Sequence, residues 1–175
     1  QISKLGENHV YFLPYLMGER SPHNDPNARG TFIGMTMDTT RADMTQAVLE
    51  GIAFAYRDMV ESARALGIRV NNSTLCGGGA KNAVWQEILT NVLNLPLTIL
   101  KEEQGPGLGA AMLSALSRGQ YLSLRHAADA TVRISHTVKP TMDIAKAYDQ
   151  RYQVFQQIYP ALRDIYPLLP CNSLE

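Results

Sequence analysis

The chain has 175 residues and no formal net charge, 16 Lys and Arg balancing 16 Asp and Glu. That balance provides no basic surface for nucleic acid or an anionic membrane, and the length suits about one domain with a core of its own. Apolar residues make up 45% and charged residues 18%, an ordinary globular composition, and no apolar run is long enough to span a bilayer.

The first stretch, HVYFLPYLMGERSPHNDPNARG, reads as an extended lead-in followed by a long polar loop. Pro14, Pro22 and Pro26 disfavour helix there, and Asn24, Asp25, Asn27 and Gly30 favour turns. Thr31 to Met37 reads as a strand, rich in β-branched and aromatic residues but interrupted by Gly34. From Asp43 to Leu66 the apolar positions Met44, Val48, Ile52, Ala55, Met59, Ala63 and Leu66 recur at helical spacing. Asp43 with Gln46 suits the N-cap box of that helix, and Gly67 suits its stop.

A short strand over about Ser73 to Cys76 runs into Gly77-Gly78-Gly79. Val84, Trp85, Ile88, Leu89, Val92 and Leu93 then share one helical face, which ends before Pro96, and Leu97 to Leu100 is a further strand. GPGLGAAMLSALSRG is a glycine-punctuated helix that stops near Gly119, and residues 121–140 read as an irregular connection. Ile144, Tyr148, Tyr152, Phe155, Tyr159, Leu162 and Ile165 mark a last helix over about 143–166, with Pro160 placed to kink or restart it. Strands alternating with helices over 73–119 point to an α/β fold. Only one clear strand precedes residue 43, so the sheet looks incomplete on its N-terminal side.

The glycines admit three phosphate-binding patterns. No Gly-Lys-Ser/Thr triplet follows them, which removes the P-loop. Gly105-Pro106-Gly107-Leu108-Gly109-Ala110 fits a dinucleotide fingerprint, but Lys101 to Gln104 separate it from its strand and Asp129 is the sole acidic residue about twenty positions on. The third pattern is a strand, then Gly77, Gly78, Gly79 and Ala80, then Asn82 at a helix start. Backbone N–H groups at such a junction attract phosphate, and Asn82 has an amide for a purine edge or a ribose. A plain tight turn with Asn82 as helix cap explains the same spacing.

Elsewhere, Glu19, Arg20, His23, Asp25 and Arg29 form a charged loop, either lining a cleft that closes or solvated and pinned by Asp–Arg pairs. Glu50 reads as structural and, if buried, needs a backbone N–H or an Arg as partner. His9, His126 and His136 are scattered and read as surface histidines. Cys76 and Cys171 form no disulfide framework, consistent with a reducing cytoplasm. The start at Gln1 and the close at Leu174-Glu175 read as the ends of a piece cut from a longer protein. Residues 171–175 would then be a tail, the last two a cloning remnant, and residues 1–170 one domain.

Four blocks, YFLPYLMGERSPHNDPNARGTFIGM, AVLEGIAFAYRDMVE, LCGGGAKNAVWQEILTNVLNLPL and GPGLGAAMLSAL, cover most of residues 10–120. In this order they resemble the C-terminal half of the FGGY-family carbohydrate kinases, and GERSPHNDP is most similar to the xylulokinase branch. The resemblance implies an α/β fold that is part of an actin-like, ribonuclease-H-like ATPase domain, its sheet truncated at the N-terminal side. It implies transfer of the γ-phosphate of ATP, with Mg2+, to a sugar hydroxyl: D-xylulose first, gluconate or another pentulose or polyol as alternatives. A binding module of the same fold without catalysis is the alternative of another class.

By that resemblance Gly77, Gly78, Gly79 and Ala80 lie against the nucleotide phosphates and Asn82 meets the adenine end. The family's catalytic Asp, sugar-binding residues and second phosphate loop align before Gln1, so no catalytic residue and no metal ligand falls on this chain. Asp25, Asp38, Asp43 and Asp58 are not substitutes for that Asp. The implied partners are the sugar and an N-terminal kinase domain, with a homodimer left open, and the piece alone is expected to be inactive.

Overall fold

The computed structural model describes residues 4–101 and 105–170; Gln1, Cys171 and Leu174-Glu175 lie outside them. The lead-in forms β1 (Tyr11–Leu13), which pairs antiparallel with β2 (Thr31–Ile33), Phe12 opposite Phe32 with ring centroids 4.5 Å apart. Two strands therefore precede residue 43, where the sequence showed one. The second is shorter than Thr31 to Met37, because Gly34 leaves the strand region at φ +89° and a Cβ there would lie 2.5 Å from the His9 carbonyl oxygen.

Helix α1 (Arg41–Ala65) starts on Thr40 rather than on Asp43. The Thr40 hydroxyl accepts the Asp43 N–H at 3.2 Å, and the Asp43 carboxylate accepts the Thr40 N–H at 2.9 Å. Asp43 thus takes the third position of a capping box, and Gln46 is free to turn inward, donating to Glu50 at 2.8 Å. Gly67 ends the helix at φ +82°, the left-handed value that only glycine adopts cheaply.

The second sheet has the order β3 (Ser73–Leu75), β4 (Leu97–Leu100), β5 (Ile134–Val138), with β3 and β4 parallel and β5 antiparallel to β4. Helix α2 (Ala83–Leu93) connects β3 to β4. Helices α3 (Pro106–Ser117) and α4 (Leu124–Thr131) follow β4, so residues 121–140 are not irregular but hold α4 and β5. Both escaped notice for a physical reason. Helix α4 has only eight residues, too few for its amphipathic period to stand out, and β5 (ISHTV) is exposed along most of its length and so carries no burial period.

Helix α5 (Met142–Leu162) packs against α2, and Pro160 lies within its last turn. The helix stops at Leu162, short of residue 166, and the chain restarts as a 3-10 turn over Tyr166–Leu168. The main core gathers Leu13, Phe54, Ile88, Val92, Leu97, Tyr148 and Phe155, all nearly inaccessible, from β1, α1, α2, β4 and α5. No helix among the described residues is long and apolar enough to cross a membrane.

Candidate functional site

Strand β3 ends at Leu75 and the chain turns at Gly77, whose φ of +88° and ψ of 174° lie outside the range of ordinary L-residues. A single 3-10 turn, Gly78–Lys81, follows, closed by the Ala80 N–H on the Gly77 carbonyl at 2.9 Å and the Asn82 N–H on the Gly79 carbonyl at 3.1 Å. Gly77, Gly78, Gly79 and Asn82 are exposed and Ala80 is half-buried. All five sequence candidates thus stand together between a strand end and a helix start, where partial positive charge accumulates.

Asn82 caps α2: its Oδ1 accepts the Trp85 N–H at 3.1 Å. That contact commits the amide oxygen to the helix and offers a ligand only the Nδ2 side. Asn82→Ala is therefore expected to cost about 1 kcal/mol of stability, measurable by thermal unfolding, whatever else it does.

Two cavities flank the turn. One, of about 620 Å³, is largely apolar and has Tyr56, Met59, Trp85, Leu89 and Leu93 in its walls. The other, of about 280 Å³, is of mixed character, with Lys81, Gln86, Lys101, Ser135 and His136 beside Leu75, Ile99 and Leu100. Among the described residues neither is lined by an Asp or a Glu. Among the described residues the turn thus presents close-approach backbone, a helix start and cations rather than carboxylates.

The carboxylates lie elsewhere. Asp43 belongs to its cap and Asp38 is exposed. Asp25 accepts the Tyr159 hydroxyl at 2.9 Å and the Asn27 N–H at 2.8 Å. Asp58 is buried on α1, accepts the Tyr152 hydroxyl at 2.5 Å, and has its pKa raised by that burial. The charged loop is not pinned by Asp–Arg pairs. Glu19 collects the N–H groups of Ser21, His23 and Asn24, His23 stacks on Tyr159 at 3.9 Å, and Arg29 donates to the Pro26 and Ala28 carbonyls. Glu50 has the Arg partner that its burial demands, Arg151 at 2.9 Å.

The fingerprint at Gly105 to Ala110 fails on geometry. Its third glycine is needed where helix and strand pack closely, yet a Cβ on Gly109 would meet nothing within 4 Å. Gln86 and His136, by contrast, touch the glycine turn or its neighbour; Gln86 was not singled out by the sequence, and His136 was read there only as the surface histidine that it is. Finding the contact between them required β5, which carries no burial period.

The chain matches the family model "FGGY family of carbohydrate kinases, C-terminal domain" over residues 3–118. It is 36% identical over 163 residues to the xylulose kinase of Staphylococcus epidermidis, covering 93% of this chain and 33% of that protein. Among solved structures it resembles the xyloylose kinase of Brucella ovis with a TM-score of 0.84 at 34% identity, covering 94% of this chain and 34% of that one. The gluconate kinase of Lactobacillus acidophilus is similar at a TM-score of 0.82 and 28% identity, again over 94% of this chain and 33% of its own. The chain spans about a third of the length of these relatives.

Proposed function

Because the chain belongs to the FGGY family of carbohydrate kinases and has the actin-like ATPase fold of that family, we propose that it is the nucleotide-binding part of a D-xylulose kinase. The observation that carries this reading is the exposed turn Gly77–Asn82, set between β3 and α2 inside the region that matches the family model. Gly77, Gly78 and Gly79 bring no side chain between the backbone and a phosphate, Ala80 continues the turn, and Asn82 offers Nδ2 to the purine end. ATP supplies the γ-phosphoryl group and carries Mg2+ on its phosphate oxygens; no residue of this chain is assigned to the metal.

In the reaction proposed, the sugar hydroxyl oxygen bonds to the γ-phosphorus, the bond to the β–γ bridging oxygen breaks, and the hydroxyl proton passes to a carboxylate. Among the described residues no carboxylate lines the cavities beside the turn, and the role read for this domain is positioning and charge compensation. The sugar site and the proton acceptor belong to another part of the kinase. Exposed Met17, Met35, Met37 and Leu16 provide apolar surface for it to cover. A cytoplasmic setting accompanies the ATP requirement.

The test is an ATP-dependent phosphorylation assay on the complete kinase polypeptide carrying this domain, with D-xylulose beside gluconate, ribulose and glycerol. The expected result is highest kcat/KM for D-xylulose and no turnover by the 175-residue chain alone. Preference for gluconate would move the substrate within the family, and nucleotide binding without any turnover would make the domain a binding module.

A further inference from the structure

We infer that Gln86 and His136 are positioning residues that hold the glycine turn in its nucleotide-ready shape. The inference rests on the reading that this turn binds ATP. Gln86 projects from the first turn of α2 and is buried, and its Nε2 donates to the Ala80 carbonyl at 2.6 Å. Its Oε1 lies 3.2 Å from Nε2 of His136 on β5, and His136 Nδ1 lies 3.1 Å from the Ser135 hydroxyl.

These contacts fix one another's direction. The Ala80 carbonyl can only accept, so the Gln86 amide must turn its nitrogen toward the turn and its oxygen toward His136. His136 must then carry its proton on Nε2, which leaves Nδ1 to accept from Ser135 when the ring is neutral. The result is a one-way series of donors, Ser135 to His136 to Gln86 to Ala80, ending on the backbone of the turn.

The turn needs such a tether. Three consecutive glycines have high conformational freedom, and a Cβ on Gly77 would meet nothing within 4 Å, so packing does not hold that position. The base of the series is well fixed. One helical turn beyond Gln86, the Thr90 hydroxyl lies in hydrogen-bonding reach of the Leu95 and Val138 carbonyls at 2.6 and 3.3 Å, and Asn91 Oδ1 accepts the Thr141 N–H at 2.7 Å. Strand β5 is thereby strapped to α2, and His136 is carried with it. Holding the Ala80 carbonyl fixes the last peptide plane of the turn and lowers the ordering that nucleotide binding would otherwise require.

The experiment measures ATP and D-xylulose KM, with thermal melts, in the complete kinase. Gln86→Leu is expected to raise the ATP KM about three- to tenfold with the sugar KM within about twofold. Gln86→Glu still accepts from His136 but can no longer donate to Ala80, so it is expected to behave like Gln86→Leu. His136→Phe should shift the ATP KM in the same direction, and His136→Gln, which restores a donor near the Nε2 position, should recover most of it. Unchanged ATP KM in Gln86→Glu, or equal failure of His136→Gln and His136→Phe, overturns the positioning role. Gly79→Val serves as the reference. If it raises the ATP KM while the Gln86 variants do not, only the positioning role falls; if it too leaves ATP binding intact, the nucleotide reading falls with it.

Discussion

Glu50→Ala is expected to destabilise the fold by about 3–5 kcal/mol, among the largest effects of any single substitution in this chain. Glu50 is 1% exposed in the middle of α1. Its carboxylate accepts from Gln46 at 2.8 Å on its own helix, and from Tyr148 and Arg151, both at 2.9 Å, on α5. Arg151 in turn donates to the Val10 carbonyl at 3.1 Å and lies 4.4 Å from the centre of the Tyr11 ring, so one carboxylate joins α1, α5 and the approach to β1.

Burial raises the pKa of Glu50 even against the pull of Arg151, which shows that the ionised pair is held at a desolvation cost. Removing the carboxylate does not relieve that cost. It leaves a guanidinium buried without its counter-charge and a Tyr148 hydroxyl without its acceptor. Equilibrium urea unfolding measures the loss. The double variant Glu50→Leu with Arg151→Leu should lose less than the two single changes summed. A loss below about 1 kcal/mol for Glu50→Ala would show that the cluster is not a structural tie.

The second large effect is functional. Gly79→Val in the complete kinase is expected to raise the ATP KM at least about tenfold while changing sugar binding little. A Cβ at Gly79 would already lie 3.3 Å from Cδ1 and Nε1 of Trp85, tighter than ordinary contact. A branched side chain must therefore displace the indole or stand outward over the surface that the phosphates are proposed to approach. Gly77 makes the contrast. There the space is open but φ is +88° with ψ 174°, so a side chain is penalised through the backbone, by about 1–3 kcal/mol. ATP titration beside thermal melts separates the two effects. A lowered melting temperature with an unchanged ATP dependence would reduce Gly79 to a packing residue.

What the sequence disclosed depended on whether burial imposed a period. Helices α2 and α5 press an apolar stripe into a common core and were legible from it. Helix α1 is a helix as read, but none of Met44, Val48, Ile52, Ala55, Met59, Ala63 and Leu66 is fully buried. The face it turns inward carries Asp43, Gln46, Glu50 and Asp58 beside Ala47, Gly51, Ala53 and Phe54. Gly51 was not legible: a glycine in mid-helix looks like a weakness, yet a Cβ there would run into the Phe12 carbonyl oxygen, and its absence is what lets β1 lie close on α1. Asp43 was misread by three residues because Thr40 and Asp43 cap reciprocally, and either end of a capping box resembles a start. The strand–glycine–helix junction was visible because glycine conformation is local. The Gln86–His136 series was invisible because it spans 50 residues and ends on an exposed strand.

The central claim is that ATP lies on the turn between β3 and α2. Amide hydrogen exchange of the complete kinase, with and without a non-hydrolysable ATP analogue, tests it without a substitution. The account predicts ligand-dependent protection in the peptides that span residues 74–89, together with any protection contributed by the rest of the kinase. Saturating nucleotide that leaves those peptides exchanging at their free rate, while protecting others, would contradict it.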